Sequence, residues 1–176
     1  MNLLTIPAFG GAEIFHVVVE SPRGSTVKLK YESRWEAMTI SRPLPLGVTY
    51  PFDWGFIPST AGPDGDSLDA LVVWDVGSFP GVVLPCRALG VMHVEQNRRN
   101  HDPSERIRND RILAVPEAAP REQDVTSIAA LPQRVRAELE HLAIIAAGLE
   151  GKDVRITGWG DATAALKLIS DHAIDR

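Results

Sequence analysis

The hydrophobic period of the sequence switches once, near Pro132, and that switch decides what kind of fold is open to the chain. Before it, apolar residues come in short runs rich in β-branched side chains, at 15–21, 26–33, 37–42, 68–76, 86–95 and 111–116. Runs of this kind, bounded by Pro, Gly and polar turn residues, read as strands. After it, Val135, Leu139, Leu142 and Ile145 recur at intervals of three and four, which places them on one helical face. Pro132 suits the first turn of that helix and Gly148 its C-terminal end. A further strand, 153–159, leads to a last helix capped by Asp161, with Ala165, Leu166 and Ile169 facing inward. Strands first and helices last predict an α+β fold, a β-barrel core with two C-terminal helices packed outside. A chain of 176 residues suits one domain with a sizeable core, so a single domain over 1–176 is expected.

Charge and cysteine usage remove several function classes. The formal net charge is −5, which argues against a nucleic-acid binder, since phosphate backbones require a basic surface. Cys86 is the sole cysteine, so neither an intrachain disulfide nor a cysteine zinc cluster is possible. The opening MNLLTIPAFGG lacks a basic segment and is broken by Pro7, Gly10 and Gly11, unlike a secretory signal. No apolar stretch has the length of a membrane span. A cytoplasmic protein without membrane or nucleic-acid partners is therefore expected. No phosphate-binding Gly-rich loop occurs, because GLEGKD lacks the following Ser or Thr.

The stretch GPDGDSLDALVVWDV, 62–76, places Asp64, Asp66 and Asp69 immediately before an apolar run. A calcium-binding helical hairpin does not fit, because Asp69 stands where that loop needs Gly and its interior is apolar. A phosphoryl-accepting Asp-x-Asp does not fit either, because there the apolar strand precedes the acids. Turn chemistry explains Asp64 and Asp66 but not Asp69, at the strand edge. Clustered carboxylates lose their mutual repulsion when they share a hard cation, and oxygen ligands suit Mg²⁺. In TVKLKYES, alternation sends Lys28, Lys30 and Glu32 to one face. Glu20 and Arg42 lie near the ends of neighbouring strands. Acids with Lys and Arg around one cavity would form a metal-and-phosphate site. The segment 96–111 reads as a long irregular loop with Arg98, Arg99, Arg106, Arg108 and Arg111. Arginines suit a phosphate-bearing substrate.

On these residues the sequence resembles the soluble inorganic pyrophosphatases of family I. DGDSLDA is similar to the family's three-aspartate signature. LLTIPAFG, VVVESPRGS, LKYE, YPFDWGFIP, ALGVMHVE, RILAVP and VRITGW resemble further family blocks in the same order. The resemblance implies an OB-like five-stranded β-barrel with flanking strands and two C-terminal helices. It implies Mg²⁺-dependent hydrolysis of pyrophosphate, with Mn²⁺ as a possible substitute, and a homo-hexamer. Asp64 and Asp69 match metal ligands, and Asp66 matches the acceptor of the attacking water's proton. Glu20 and Glu32 match acids around metal and substrate, and Lys30 and Arg42 match phosphate-binding cations.

The sequence departs from the family pattern at several site positions. Trp54 stands for an active-site Tyr, Gln96 for a metal-binding Asp, and Ala146 and Ala147 for a Tyr-Lys pair that binds the leaving phosphate. The family's Asp-x-Lys falls on Asn109-Asp110-Arg111, so Arg111 is read as a substrate cation and Asp110, after a one-residue shift, as a metal ligand. Compensation from the 96–111 segment is expected: Arg111 and a further arginine facing the acids, with Asp110 or Asp102 near enough to ligate. The alternatives are a degenerate member that binds without turnover, and a hydrolase of an organic diphosphate.

Overall fold

The computed structural model describes residues 2–97, 105–148 and 151–174. Nine strands and two helices follow in chain order among them. They are β1 (Ile14–Ser21), β2 (Val27–Glu32), β3 (Ala37–Pro43), β4 (Asp53–Phe56), β5 (Asp69–Val72), β6 (Val83–Asn97), β7 (Arg106–Arg108) and β8 (Arg111–Pro116), then α1 (Gln133–Gly148), β9 (Val154–Asp161) and α2 (Ala162–His172). Strands β1, β4, β5, β8 and β6 pair in that order, and β6 pairs back onto β1. This closes the expected five-stranded barrel, which leaves no open sheet edge within the ring. β7 and β9 extend the sheet from β6, and β2 with β3 forms a separate two-stranded ribbon.

Alternation along the barrel strands divides the core between the two helices. Leu71, Leu113 and Val115 pack with Leu139 and Leu142 of α1. Ala70, Val72, Ile112 and Ala114, one residue out of phase, pack with Ala165 and Ile169 of α2. The Asp161 side chain caps α2 by accepting from the Ala164 N–H at 2.8 Å, as its sequence position predicts.

The structure adds two strands and trims one. β4 was not legible, because DWGF is short and carries a central glycine. Gly55 is required there: a Cβ would lie 2.1 Å from the Val18 carbonyl oxygen on β1. β7 lies inside the segment read as irregular, pairing with β6 through Glu95, Gln96 and Asn97. β5 ends at Val72 rather than Val76. Beyond it, the Trp74 indole N–H donates to buried Asp53 at 3.0 Å, and Asp53 also accepts from the Arg23 N–H at 2.7 Å. These bonds turn the chain out of the sheet.

Candidate active site

Strand register assembles most of the site. β5 runs parallel to β8 with Asp69 opposite Arg111, and their side chains meet at 2.6 Å. On the ribbon, Lys28 pairs with Arg42 across the strands, and Lys30 projects two residues on. The Lys30 ammonium lies 3.1 Å from Asp66, which sits in the turn before β5. Glu20, near the end of β1, is 7% exposed and accepts from the Tyr31 N–H at 2.8 Å.

A cavity of about 310 Å³ lies among these groups. Glu20, Glu32, Asp64, Asp66 and Asp69 line it with Lys28, Lys30, Arg42, Arg111 and Lys152. Eight of the nine expected site residues, all but Asp110, line this cavity, and their convergence on one space is what makes a site. The wall is completed by Tyr50, Trp54, Gln96, Asn109 and the small side chains Ala143, Ala146 and Ala147.

Charge is unevenly distributed inside the cavity. Burial, which outweighs all other influences, pushes the Glu20 carboxyl up to about 7. Burial and then the neighbouring Asp69 charge raise Asp64 as well. Lys30 is raised although burial works against its charge, because Asp66 faces it. Burial lifts the Tyr50 hydroxyl to about 12. Lys30 and Arg111 pair with Asp66 and Asp69, and Lys28, Arg42 and Lys152 line the cavity besides.

Asp110 is not where the sequence reading put it. Asn109 and Arg111 line the cavity, whereas Asp110, in the link between β7 and β8, does not. Its carboxylate accepts from Arg108 at 2.6 Å and from the Val94 N–H at 2.9 Å. Burial works against its charge, but the hydrogen bonds from Arg108, Val94 and His93 hold its carboxyl below the usual carboxylate range. It borders instead a second cavity of about 200 Å³, behind Asp64 and against Leu168 and His172 of α2. Arg106 is also turned away, bonding to Asp153 at 2.8 Å. Arg111 is the one arginine of the 96–111 segment that lines the cavity among the described residues. Arg98, Arg99 and Asp102 lie outside the described residues.

Sequence reasoning missed Lys152. It follows α1, its N–H donates to the Ala147 carbonyl at 3.3 Å, and it lines the same end of the cavity as Ala146 and Ala147. It sits in no motif; only the chain reversal between α1 and β9 brings it there. Arg42 reaches the same end, donating to the Ala146 carbonyl at 2.5 Å.

Comparison with known proteins agrees with this geometry. The pattern of the inorganic pyrophosphatase family matches residues 17–175. The chain belongs to the inorganic pyrophosphatase family. It is 36% identical over 172 residues to the inorganic pyrophosphatase of Thermus thermophilus, covering 96% of this chain and 94% of the relative. It is 34% identical over 171 residues to that of Synechocystis sp., covering 97% and 96%. The crystal structure of the Thermus thermophilus inorganic pyrophosphatase superposes with a TM-score of 0.85 at 33% identity, covering 97% of this chain and 95% of that one. The structure from Coxiella burnetii gives a TM-score of 0.84 at 31% identity, covering 95% and 97%. The family match reaches almost from end to end, so barrel, ribbon and both helices all belong to the pyrophosphatase fold.

The donors around the cavity suit the divalent metals that inorganic pyrophosphatases use. They are carboxylates and amide oxygens without a thiolate or imidazole, the set that hard cations prefer. No group of three acidic, histidine or cysteine side chains converges into a ready-made cage among the described residues. Two of the carboxylates are instead held by Lys30 and Arg111.

Proposed function

We propose that this chain hydrolyses inorganic pyrophosphate to two phosphates with Mg²⁺, at the cavity between the ribbon and the β5–β8 edge. The observation that carries the reading is the convergence of five acids and five cations on one space, in a chain of the pyrophosphatase family. Asp64 and Asp69, with Glu32 at the rim, are the groups that would hold the metal. Bound there, Mg²⁺ supplies Lewis acidity and charge neutralisation for the phosphates. Lys30, Arg42 and Arg111 bind phosphate oxygens, and Glu20 lies against the substrate side of the cluster. Asp66 accepts the proton of the attacking water as the new phosphorus–oxygen bond forms and the bridging one breaks. A single domain over 1–176 and a cytoplasmic homo-hexamer complete the reading, supported by the near full-length family match.

The test is phosphate release from pyrophosphate by the purified full chain with Mg²⁺, with and without excess chelator. The expected result is turnover that chelation abolishes and added Mg²⁺ restores. Absence of turnover would remove the reading. A second reading, an organic diphosphate as the preferred substrate, is favoured by the methyl-only wall of Ala143, Ala146 and Ala147. A higher kcat/KM on such a compound than on pyrophosphate would select it.

Lys152 gives a second prediction. A cation at the Ala146–Ala147 end should hold the outgoing phosphate without touching the attacking water. Lys152→Ala is expected to raise KM for pyrophosphate about tenfold with kcat little changed, the size of one charge-assisted hydrogen bond. Steady-state kinetics at fixed Mg²⁺ would measure it.

A further inference from the structure

One buried carboxamide in the cavity wall stands without a partner. Gln96, near the end of β6, is 2% exposed. Its side chain makes no hydrogen bond to any described residue. Its amide is not shut away from open space, as the Trp54 indole nitrogen is. The small part of Gln96 that is open therefore includes the amide, and it opens on the cavity. Asn109, the other amide of the wall, is committed, since its side-chain oxygen accepts from Arg111. Buried polar side chains are almost always hydrogen-bonded, so one that is not calls for an explanation. Backbone pairing fixes where this one stands. Gln96 lies between Ile107 of β7 and Val154 of β9, which hold the strand from both sides. Alternation puts it on the same face of β6 as Met92 and Val94, which pack with Leu139, Leu142 and Ala143 of α1. That face leads to the wall of Ala143, Ala146 and Ala147, whose methyl groups offer the amide nothing to bond.

We infer that Gln96 is a substrate-binding residue whose carboxamide N–H donates directly to a phosphate oxygen of the ligand, with no cation between them. The inference rests on the phosphate-binding reading of the cavity and adds to it a contact that needs no metal. An ionised carboxylate only accepts, so it and a phosphate oxygen can share a site only across a cation. A carboxamide carries two N–H donors and reaches the same oxygen unaided. Because the acceptor is charged, the bond is of the stronger kind.

The test follows the amide protons themselves. The full chain is labelled with ¹⁵N-glutamine and titrated first with Mg²⁺ and then with inorganic phosphate, while calorimetry measures affinity. The other glutamines, Gln123 and Gln133, are exposed, so the Gln96 pair is the one that a soluble paramagnetic agent leaves sharp. Mg²⁺ alone should leave that pair in place, and phosphate should then move it downfield to saturation. Gln96→Met keeps the length of the side chain and removes the donor, and its phosphate Kd should rise about tenfold. The labelled wild type decides the question whether or not that variant folds. A pair that Mg²⁺ alone carries to its final position makes the amide oxygen a metal ligand and overturns the inference. Saturable phosphate binding that leaves the pair in place overturns it too, as does wild-type affinity in a folded Gln96→Met, and in each case the phosphate site still stands. No phosphate binding by the wild-type chain overturns both.

Discussion

Asp66→Asn is expected to lower kcat for pyrophosphate by about 10²- to 10⁴-fold, the usual range for loss of a general base. Of the three aspartates it is the one least committed to structure. Its side chain is 67% exposed and its ion pair is with half-exposed Lys30 at 3.1 Å. Asp69 is held by buried Arg111, and Asp64 accepts from the Asp66 N–H at 3.2 Å, which shapes the turn. An exposed ion pair contributes about 0–1 kcal/mol to stability, so the asparagine variant should keep its Tm within a few degrees. The separation is diagnostic: a large loss in kcat without a loss in Tm assigns Asp66 to the chemistry. Phosphate release within threefold of wild type would show that another group takes the proton.

The same cluster shows how far a sequence can be read. The helices were legible because their apolar spacing has no strand equivalent, and Asp161 announced the second one. The barrel strands were legible where both faces are buried, as in RILAVP, all six residues of which are buried. β4 and β7 were not. DWGF owes its place to Gly55 fitting against Val18, a contact between strands far apart in sequence. RIR is held by backbone pairing to β6, which leaves no hydrophobic pattern to read. Within the site, the ribbon's alternation correctly grouped Lys28, Lys30 and Glu32 on the cavity. Asp110, in the link between β7 and β8, is taken up by Arg108 and the Val94 N–H away from the cavity that Arg111 lines, and no sequence pattern reports those bonds. Lys152 was beyond reach, since the chain reversal that brings it to the cavity cannot be seen before the chain is folded.

Glu20 ties the site to stability, and the sign of its effect is unusual for a carboxylate. Burial opposes its charge and pushes its carboxyl up to about 7 in the folded chain, against an ordinary 4.5. The folded state therefore holds the proton more tightly than the unfolded state. Between those two values the folded chain carries more bound protons, so stability falls as pH rises. The penalty is absent below about pH 4.5 and complete above about pH 7, where it amounts to about 3 kcal/mol. Glu20→Gln keeps an oxygen acceptor for the Tyr31 N–H and removes the charge. In chelator, the variant is expected to match wild type near pH 4.5 and to exceed it by about 3 kcal/mol at pH 8. Urea unfolding at half-unit pH steps would measure the difference. A difference that stays flat from pH 5 to pH 8 would show that the buried charge is relieved some other way. Added Mg²⁺ should narrow the gap at pH 8, because a cation at the acid cluster stabilises the Glu20 carboxylate and does nothing for the amide. A cation held at the cluster would remove a cost that the bare chain carries, so activity and stability should recover together when Mg²⁺ is restored to chelated wild-type protein.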